Sequence, residues 1–142
     1  MGAKHSVSVA GAVVRDDGRI LVIRRHDNGA YEAPGGVLEL DESIQVGLAR
    51  EIREESGFEA EPVRLTGVYK NINLGVVALF FRCRLIGGTA SLSDETTEVQ
   101  WITADEIDEL MVPTTAVRFH DALSDTSIPS IRTHDGVQLI GA

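Results

Sequence analysis

Apolar residues recur at every second position over the first part of the chain, which is the period of a half-buried strand. Val7, Val9 and Val13 share a phase and predict a strand over Ser6–Val14. Ile20 to Arg25 predicts a second strand, and Asp16-Asp17-Gly18-Arg19 between them is turn chemistry, so the two are expected to form a hairpin. Adjacent Arg24 and Arg25 then point to opposite faces. Tyr31 to Val37 reads as a short extended stretch broken by Pro34, and Val63 to Tyr69 as a strand entered through Glu61-Pro62. Val76 to Leu85 has the cleanest alternation: Val77, Leu79, Phe81, Cys83 and Leu85 lie on one face, Arg82 and Arg84 on the other. Ile86 to Asp94 is Gly/Ser/Thr-rich and reads as a loop, and Glu98 to Ile102 as a last core strand.

Helical spacing replaces alternation from about Ser43 to Ser56, with Gly57 placed where a left-handed residue commonly ends a helix. Thr103-Ala104-Asp105-Glu106 is a capping-box sequence that starts a helix running to about Met111. Pro113 suits the first turn of a further helix to about Leu123. Ser124 to Ser130 is polar, and Ile131 to Ile140 holds a His134-Asp135-Gly136 turn expected to form a small terminal hairpin. Strands mixed with few helices, without regular alternation, indicate the α+β class with mixed strand pairing. With no internal repeat and no linker, residues 1–142 are expected to form one domain.

Composition narrows the partners. The hydrophobic fraction of 43% and charged fraction of 25% are those of an ordinary globular protein. A net charge of -9 disfavours nonspecific binding to a nucleic acid duplex, while a small anionic ligand stays open because a bound cation can invert the local field. The single cysteine, Cys83, cannot form an internal disulfide, which fits a reducing cytoplasmic setting; on its apolar strand face it reads as a small buried hydrophobe. No apolar run reaches membrane-spanning length and no segment resembles a secretion signal, so no membrane association is expected. Met1-Gly2-Ala3-Lys4-His5-Ser6 meets the loose N-myristoylation pattern, a short match of low specificity.

The chemistry concentrates between Gly36 and Phe58. On the helix Glu51, Glu54 and Glu55 fall at i, i+3 and i+4, in one sector of surface near the negative end of the helix dipole. Arg50 offsets part of the repulsion by pairing with Glu54, and Gly47 one turn earlier is expected to clear space above the carboxylates. Leu48, Ala49 and Ile52 are expected to pack on the sheet. On the helix alone, a solvated acidic face and a site for a hard cation such as Mg²⁺, Mn²⁺ or Ca²⁺ are equally good readings. The Pro34-Gly35-Gly36 turn that enters the helix, whose backbone can approach a ligand closely, favours the second.

Gly36, Glu42 after five residues, Arg50-Glu51-Ile52 after seven more, then Glu54-Glu55 and Gly57-Phe58 fill every fixed position of the pattern G-x5-E-x7-R-E-U-x-E-E-x-G-U, where U is bulky and apolar. The stretch resembles the Nudix box of the MutT-like Nudix hydrolases. The likeness extends over roughly residues 6 to 123, including the Tyr31–Gly36 entry (with Tyr31 where Trp is common) and the segment Glu98–Ile102 with Asp105-Glu106-Ile107, and leaves residues 125–142 as an extension.

The resemblance implies an α/β/α sandwich around a central mixed sheet, and Mg²⁺-dependent hydrolysis (Mn²⁺ as substitute) of a nucleoside diphosphate linked to another moiety. Glu51, Glu54 and Glu55, with the carbonyl of Gly35, would bind metal. Arg50 would orient a box carboxylate, Glu42 support the loop, and Arg25 and Gly36 meet the substrate. Water would attack one phosphorus, with the cation lowering its pKa. Glu51 is the first choice of general base, ahead of Glu54 and of the later carboxylates Asp94, Glu95 and Glu98; Glu98 is carried as an additional base or ligand, with a solvated strand residue as the equal alternative. The alternative function is a Nudix-fold nucleotide-binding or regulatory module without catalysis, against which the intact box weighs. Many relatives pair as homodimers, and Ile131–Ile140 is available for that end. Tyr31, Tyr69, Phe81 and Trp101 are the aromatic residues considered for stacking on a base, and nothing selects among nucleoside triphosphates, ADP-ribose, dinucleoside polyphosphates, coenzyme A and sugar nucleotides.

Overall fold

The first strand, β1 (Ser6–Val14), organises the sheet because three other strands pair with it. The computed structural model describes residues 2–141; Met1, where the myristoylation pattern begins, and Ala142, the end of the C-terminal extension, lie outside the described residues. Along one edge β1 runs parallel to β6 (Val76–Gly88) over its full length, from Ser6↔Val76 to Val14↔Arg84. Its other edge is divided. β2 (Ile20–Arg25) pairs with it only at the hairpin end, Val14↔Ile20, and then diverges to pair with β3 (Tyr31–Glu32) and β7 (Thr96–Ile102). β4 (Gly35–Val37) takes the vacated part of β1, from Ser8↔Val37 to Ala10↔Gly35. The extended stretch interrupted by Pro34 is therefore two strands on different partners, and the sheet forks between them.

Beyond β6 lie β5 (Phe58–Asn71), antiparallel to it, then β8 (Ser130–His134), parallel to β5, and β9 (Leu139–Ile140) at the margin. The terminal hairpin expected from sequence is formed, but as part of the main sheet. β5 starts five residues earlier than expected, directly after the left-handed Gly57 (φ 81°) that caps helix α1 (Ile44–Ser56). It passes through Pro62 because the register shifts between Pro62 and Arg64, a bulge where a missing N–H is tolerated. β6 likewise runs on to Gly88 and β7 begins at Thr96, so the predicted loop over 86–94 shortens at its start.

Alternation along β6 explains the layers. Phe81 and Cys83 are buried under α1 together with Val9, Val13, Leu21, Leu48 and Ile52. Ala78 and Phe80, on the face where only Arg82 and Arg84 were singled out from sequence, are buried under α2 (Ile107–Leu110) and α3 (Pro113–Leu123) with Tyr69, Ile107, Ala116 and Phe119. The result is the α/β/α sandwich with a mixed sheet. Burial pushes the Cys83 thiol up to about 12, in keeping with a packing role.

The caps follow local chemistry. Ser43 Oγ accepts from the backbone N–H of Val46 at 3.3 Å and opens α1. At the 3₁₀ turn before α2 the expected capping box is formed, and the Glu106 carboxylate accepts from both the N–H (3.0 Å) and the hydroxyl (3.1 Å) of Thr103.

Ile52 is fully buried between α1 and the sheet. Ile52→Ala is expected to cost roughly 2–5 kcal/mol of stability by urea unfolding, with the denaturant slope unchanged.

Candidate active site

Helix α1 turns its carboxylates toward the fork in the sheet. A cavity of about 560 Å³ is lined there by Ile23 and Arg25 of β2, Glu32 of β3, Gly35–Val37 of β4, Glu51 and Glu55 of α1, and Asp94 and Glu95 ahead of β7. Across it the carboxylates of Glu51, Glu32 and Glu95 repel that of Glu55, and Glu95 repels Glu51.

Gly36 lets Glu51 reach the fork: a Cβ at that position would stand 2.5 Å from the Glu51 carboxyl. Burial pushes the Glu51 carboxyl above its ordinary range, against the pull of Arg50. Glu55 is raised further, to about 8, first by burial and then by Glu51, Glu32 and Glu95; it accepts only a long 3.4 Å hydrogen bond from the Gly35 N–H. Glu54 faces solvent and does not line the cavity.

Arg50 binds more than the Glu54 expected from helix spacing. It donates twice to Glu42, from Nε at 2.9 Å and Nη2 at 2.6 Å, and through Nη1 to Glu51 at 3.0 Å and Glu54 at 3.1 Å. Hydrogen bonding to Arg50 holds the Glu42 carboxyl down at about 2. Glu42 also accepts from the Glu39 N–H at 2.9 Å, which fixes the entry loop, as its supporting role requires. Gly47 serves this loop rather than the metal-facing carboxylates: a Cβ there would meet Leu38 at 2.5 Å and Glu42 at 2.7 Å.

The two arginines of β2 separate as their alternation demands. Arg25 lines the cavity, donating to Asp27 at 2.9 and 2.6 Å and to Glu32 at 3.4 Å. Arg24 lies over the Tyr31 ring and 3.7 Å from Glu98. Glu98 accepts from the Tyr31 hydroxyl at 2.6 Å and from Gln100 at 3.0 Å. It is thus tied up away from the α1 carboxylates, and of the three late carboxylates Asp94 and Glu95 are the ones at the cavity. The pairing passes from Arg24↔Glu98 to Arg25↔Thr96 through a bulge at Thr97 of β7, and the loop ahead of it brings Asp94 and Glu95 to the cavity. Of the aromatic residues considered for stacking, Tyr69 and Phe81 are core and Trp101 packs edge-on against Phe58.

The donor set fits a hard divalent cation in kind: carboxylate oxygens, two of them desolvated and repelling one another, beside a Gly-Gly backbone. Among the described residues no three Asp, Glu, His or Cys side chains are gathered closely enough to hold one as they stand. Glu51 and Glu54 are both engaged by Arg50, and binding would require them to turn. Sequence reasoning passed over Glu32, which lines this cavity and carries no helical or strand signature beyond its place in the entry segment.

Residues 4–123 match the NUDIX domain family. A MutT-like protein of Streptomyces ambofaciens is 56% identical over 138 residues, spanning 97% of this chain and 89% of that protein. An ADP-ribose pyrophosphatase of Methanocaldococcus jannaschii is 27% identical over 113 residues, 75% of this chain and 67% of that protein. The crystal structure of a MutT protein from Methanosarcina mazei superposes with a TM-score of 0.71 at 27% identity, covering 84% of this chain and 94% of that one.

Glu55 binds its proton more tightly in the folded protein (about 8) than in the unfolded chain (4.5), so its contribution to stability is whole below about pH 4.5 and is lost as the pH rises through 8. In chelator, the melting temperature of the wild type is expected to fall between pH 5 and pH 8.5 relative to Glu55→Gln; parallel curves would contradict this.

Proposed function

The chain belongs to the NUDIX domain family and is a hydrolase of pyrophosphate bonds, and we propose that its substrate is a nucleoside diphosphate linked to another moiety, cleaved at the diphosphate in the cavity between α1 and the fork of the sheet. The observation that carries the reading is Glu55. Its carboxyl shares one cavity with those of Glu32, Glu51 and Glu95, the Gly35-Gly36 backbone and Arg25, so that oxygens for a cation stand beside a guanidinium for an anion.

Glu51, Glu54, Glu55 and the Gly35 carbonyl are the residues that would hold Mg²⁺ or Mn²⁺. When bound, the cation neutralises diphosphate oxygens and makes a water more acidic. Glu51, seated over Gly36 with a raised carboxyl, is the base proposed to take the water proton. Glu95 and Asp94 offer a second carboxylate from the opposite wall. Arg25, kept cationic by Asp27 and Glu32, contacts a phosphate oxygen and opposes charge developing on the leaving group. Arg50 holds Glu51 in place through the same guanidinium that anchors Glu42, which makes it a positioning residue.

The names of the relatives point to ADP-ribose and oxidised nucleotides, and both belong in the substrate panel. The reading without catalysis has no observation in its favour, since every box residue is present.

A screen of ADP-ribose, 8-oxo-dGTP, NAD, diadenosine polyphosphates, coenzyme A and UDP-glucose with Mg²⁺ or Mn²⁺ is expected to release a nucleoside monophosphate or pyrophosphate from at least one. Full activity in excess chelator would overturn the proposal. On the substrate found, Glu54→Gln and Glu55→Gln are each expected to lower kcat about 10²-fold or more, with circular dichroism unchanged.

A further inference from the structure

Arg25 reaches the first cavity with its donors already engaged. Nε and Nη2, the edge of a guanidinium that grips an anion at two points, both donate to Asp27, at 2.9 and 2.6 Å. Nη1 donates to Glu32 at 3.4 Å. Asp27 lines the same cavity, so its carboxylate fills the place that an anion bound to that edge would take.

The two acids hold Arg25 on different terms. Glu32 is fixed on β3 opposite Ile23, at the wall that the first cavity shares with a second one of about 310 Å³ on the α3 side. Its carboxylate is drawn by two guanidiniums, that of Arg25 and, from α3, that of Arg118. Arg118 makes no ion pair of its own among the described residues. It lies over the Tyr69 ring and meets Nε2 of His134, on β8, at 3.2 Å, which leaves its charge to act on Glu32. Glu32 therefore keeps a cation beside it whichever way Arg25 turns. Asp27 has no such second partner: among the described residues Arg25 is the only side chain bound to its carboxylate.

Asp27 can also let go without the loop being rebuilt. The turn from His26 to Gly29 is held by its backbone: the Gly29 N–H donates to the Arg25 carbonyl at 3.0 Å, the Arg25 N–H to Ala30 at 2.9 Å, and the His26 N–H to Glu95 at 2.8 Å. The Asn28 side chain accepts from the Ala30 N–H at 2.9 Å. None of these bonds uses the Asp27 side chain. The ion pair itself is open to water, with the Arg25 and Asp27 side chains 42% and 61% exposed, which makes it weak and exchangeable. The bond of Arg50 to Glu42 is as short, at 2.6 Å, but its side chains are only 19% and 9% exposed, and it belongs to the frame of the site.

A carboxylate and a phosphate offer the same pair of oxygens to a guanidinium edge, and a diphosphate carries more charge and brings a cation to the neighbouring acids. We propose that Asp27 is an internal stand-in for the substrate's phosphate: it occupies the Nε–Nη2 edge of Arg25 until a diphosphate displaces it, and so sets the affinity of the site for the diphosphate. On displacement the Asp27 carboxylate turns to solvent, while Glu32 stays and keeps Arg25 aimed at the cavity. This rests on the reading of Arg25 as a phosphate contact in the proposed reaction.

Binding tests it without turnover. With methylenediphosphonate, which resists hydrolysis, and Mg²⁺ as the probe, titration calorimetry is expected to show Asp27→Asn binding roughly 2- to 5-fold more tightly than the wild type, the range of an exposed ion pair. Arg25→Ala and Arg25→Gln should each bind more weakly, and adding Asp27→Asn to either should change the affinity by less than about 1.5-fold, because the acid then has no guanidinium edge to block. On the substrate found by screening, Asp27→Asn should lower KM in the same ratio without raising kcat. Equal or weaker binding by Asp27→Asn would overturn the proposal. So would a gain that persists without Arg25, since that is repulsion through space and not displacement. Either result leaves the diphosphate reading standing. Failure of the diphosphonate to bind the wild type and Asp27→Asn alike would overturn that reading and the proposal together.

Discussion

The hydrogen bonds of Arg50 to Glu42, Glu51 and Glu54 are the constraint on which the rest of the site depends. Three glutamates in one sector near the C-terminus of a helix repel one another and face the negative end of its dipole. A single planar guanidinium meets the entry loop with one edge and the helix carboxylates with the other, which a lysine ammonium has no geometry to do. Because Glu42 is held there, the loop from Val37 lies along α1 over Gly47, and β4 is delivered onto β1 with Gly36 beneath the Glu51 carboxyl. The electrostatic cost of assembling the carboxylates is thus partly offset by the contact that shapes the loop.

What could be read from the chain follows the range of the interactions involved. Helix α1, its Ser43 cap and its Gly57 terminus are local, and spacing alone placed Glu51, Glu54 and Glu55 together. The box gave Glu42 a supporting role and Arg50 an orienting one, but not that they bind each other, since they lie eight residues apart across a loop. Gly47 was assigned to the wrong neighbours for the same reason: the period says which face it occupies, and only the folded loop says what covers that face. Glu98 and Glu95 exchanged places because one bulge in β7, at Thr97, shifts the register, and no pattern of apolar residues records a bulge. Arg118 was out of reach altogether. Its setting is made by β8 pairing in parallel with β5 some sixty residues earlier, a contact that leaves no periodic trace in either segment.

The fork in the sheet gives these contacts their common purpose. Had β2 continued along β1, β4 would have no edge to occupy and the Gly-Gly backbone would not lie between α1 and α3. By diverging after one paired position, β2 leaves an opening that both helical layers can reach. The α1 layer contributes acids and the α3 layer contributes Arg118, and the cavities on the two sides share Arg25, Glu32 and Gly35–Val37.

Charge decides how such a site can admit a diphosphate. The chain carries a net charge of -9, and the first cavity presents Glu32, Glu51, Glu55, Asp94 and Glu95 against one arginine, Arg25. At contact distances, like charges in a partly buried site oppose one another by several kcal/mol, more than Arg25 alone can reverse. On the proposed reading a polyphosphate on its own is repelled from this cavity, and the raised Glu55 carboxyl, at about 8, is the protein's own partial relief of that field. Proton and divalent cation compete for the same oxygens, and only the cation brings charge to spare for the phosphates. On that reading, the acids that make the cavity unfavourable to a bare anion would select an anion that arrives with its metal.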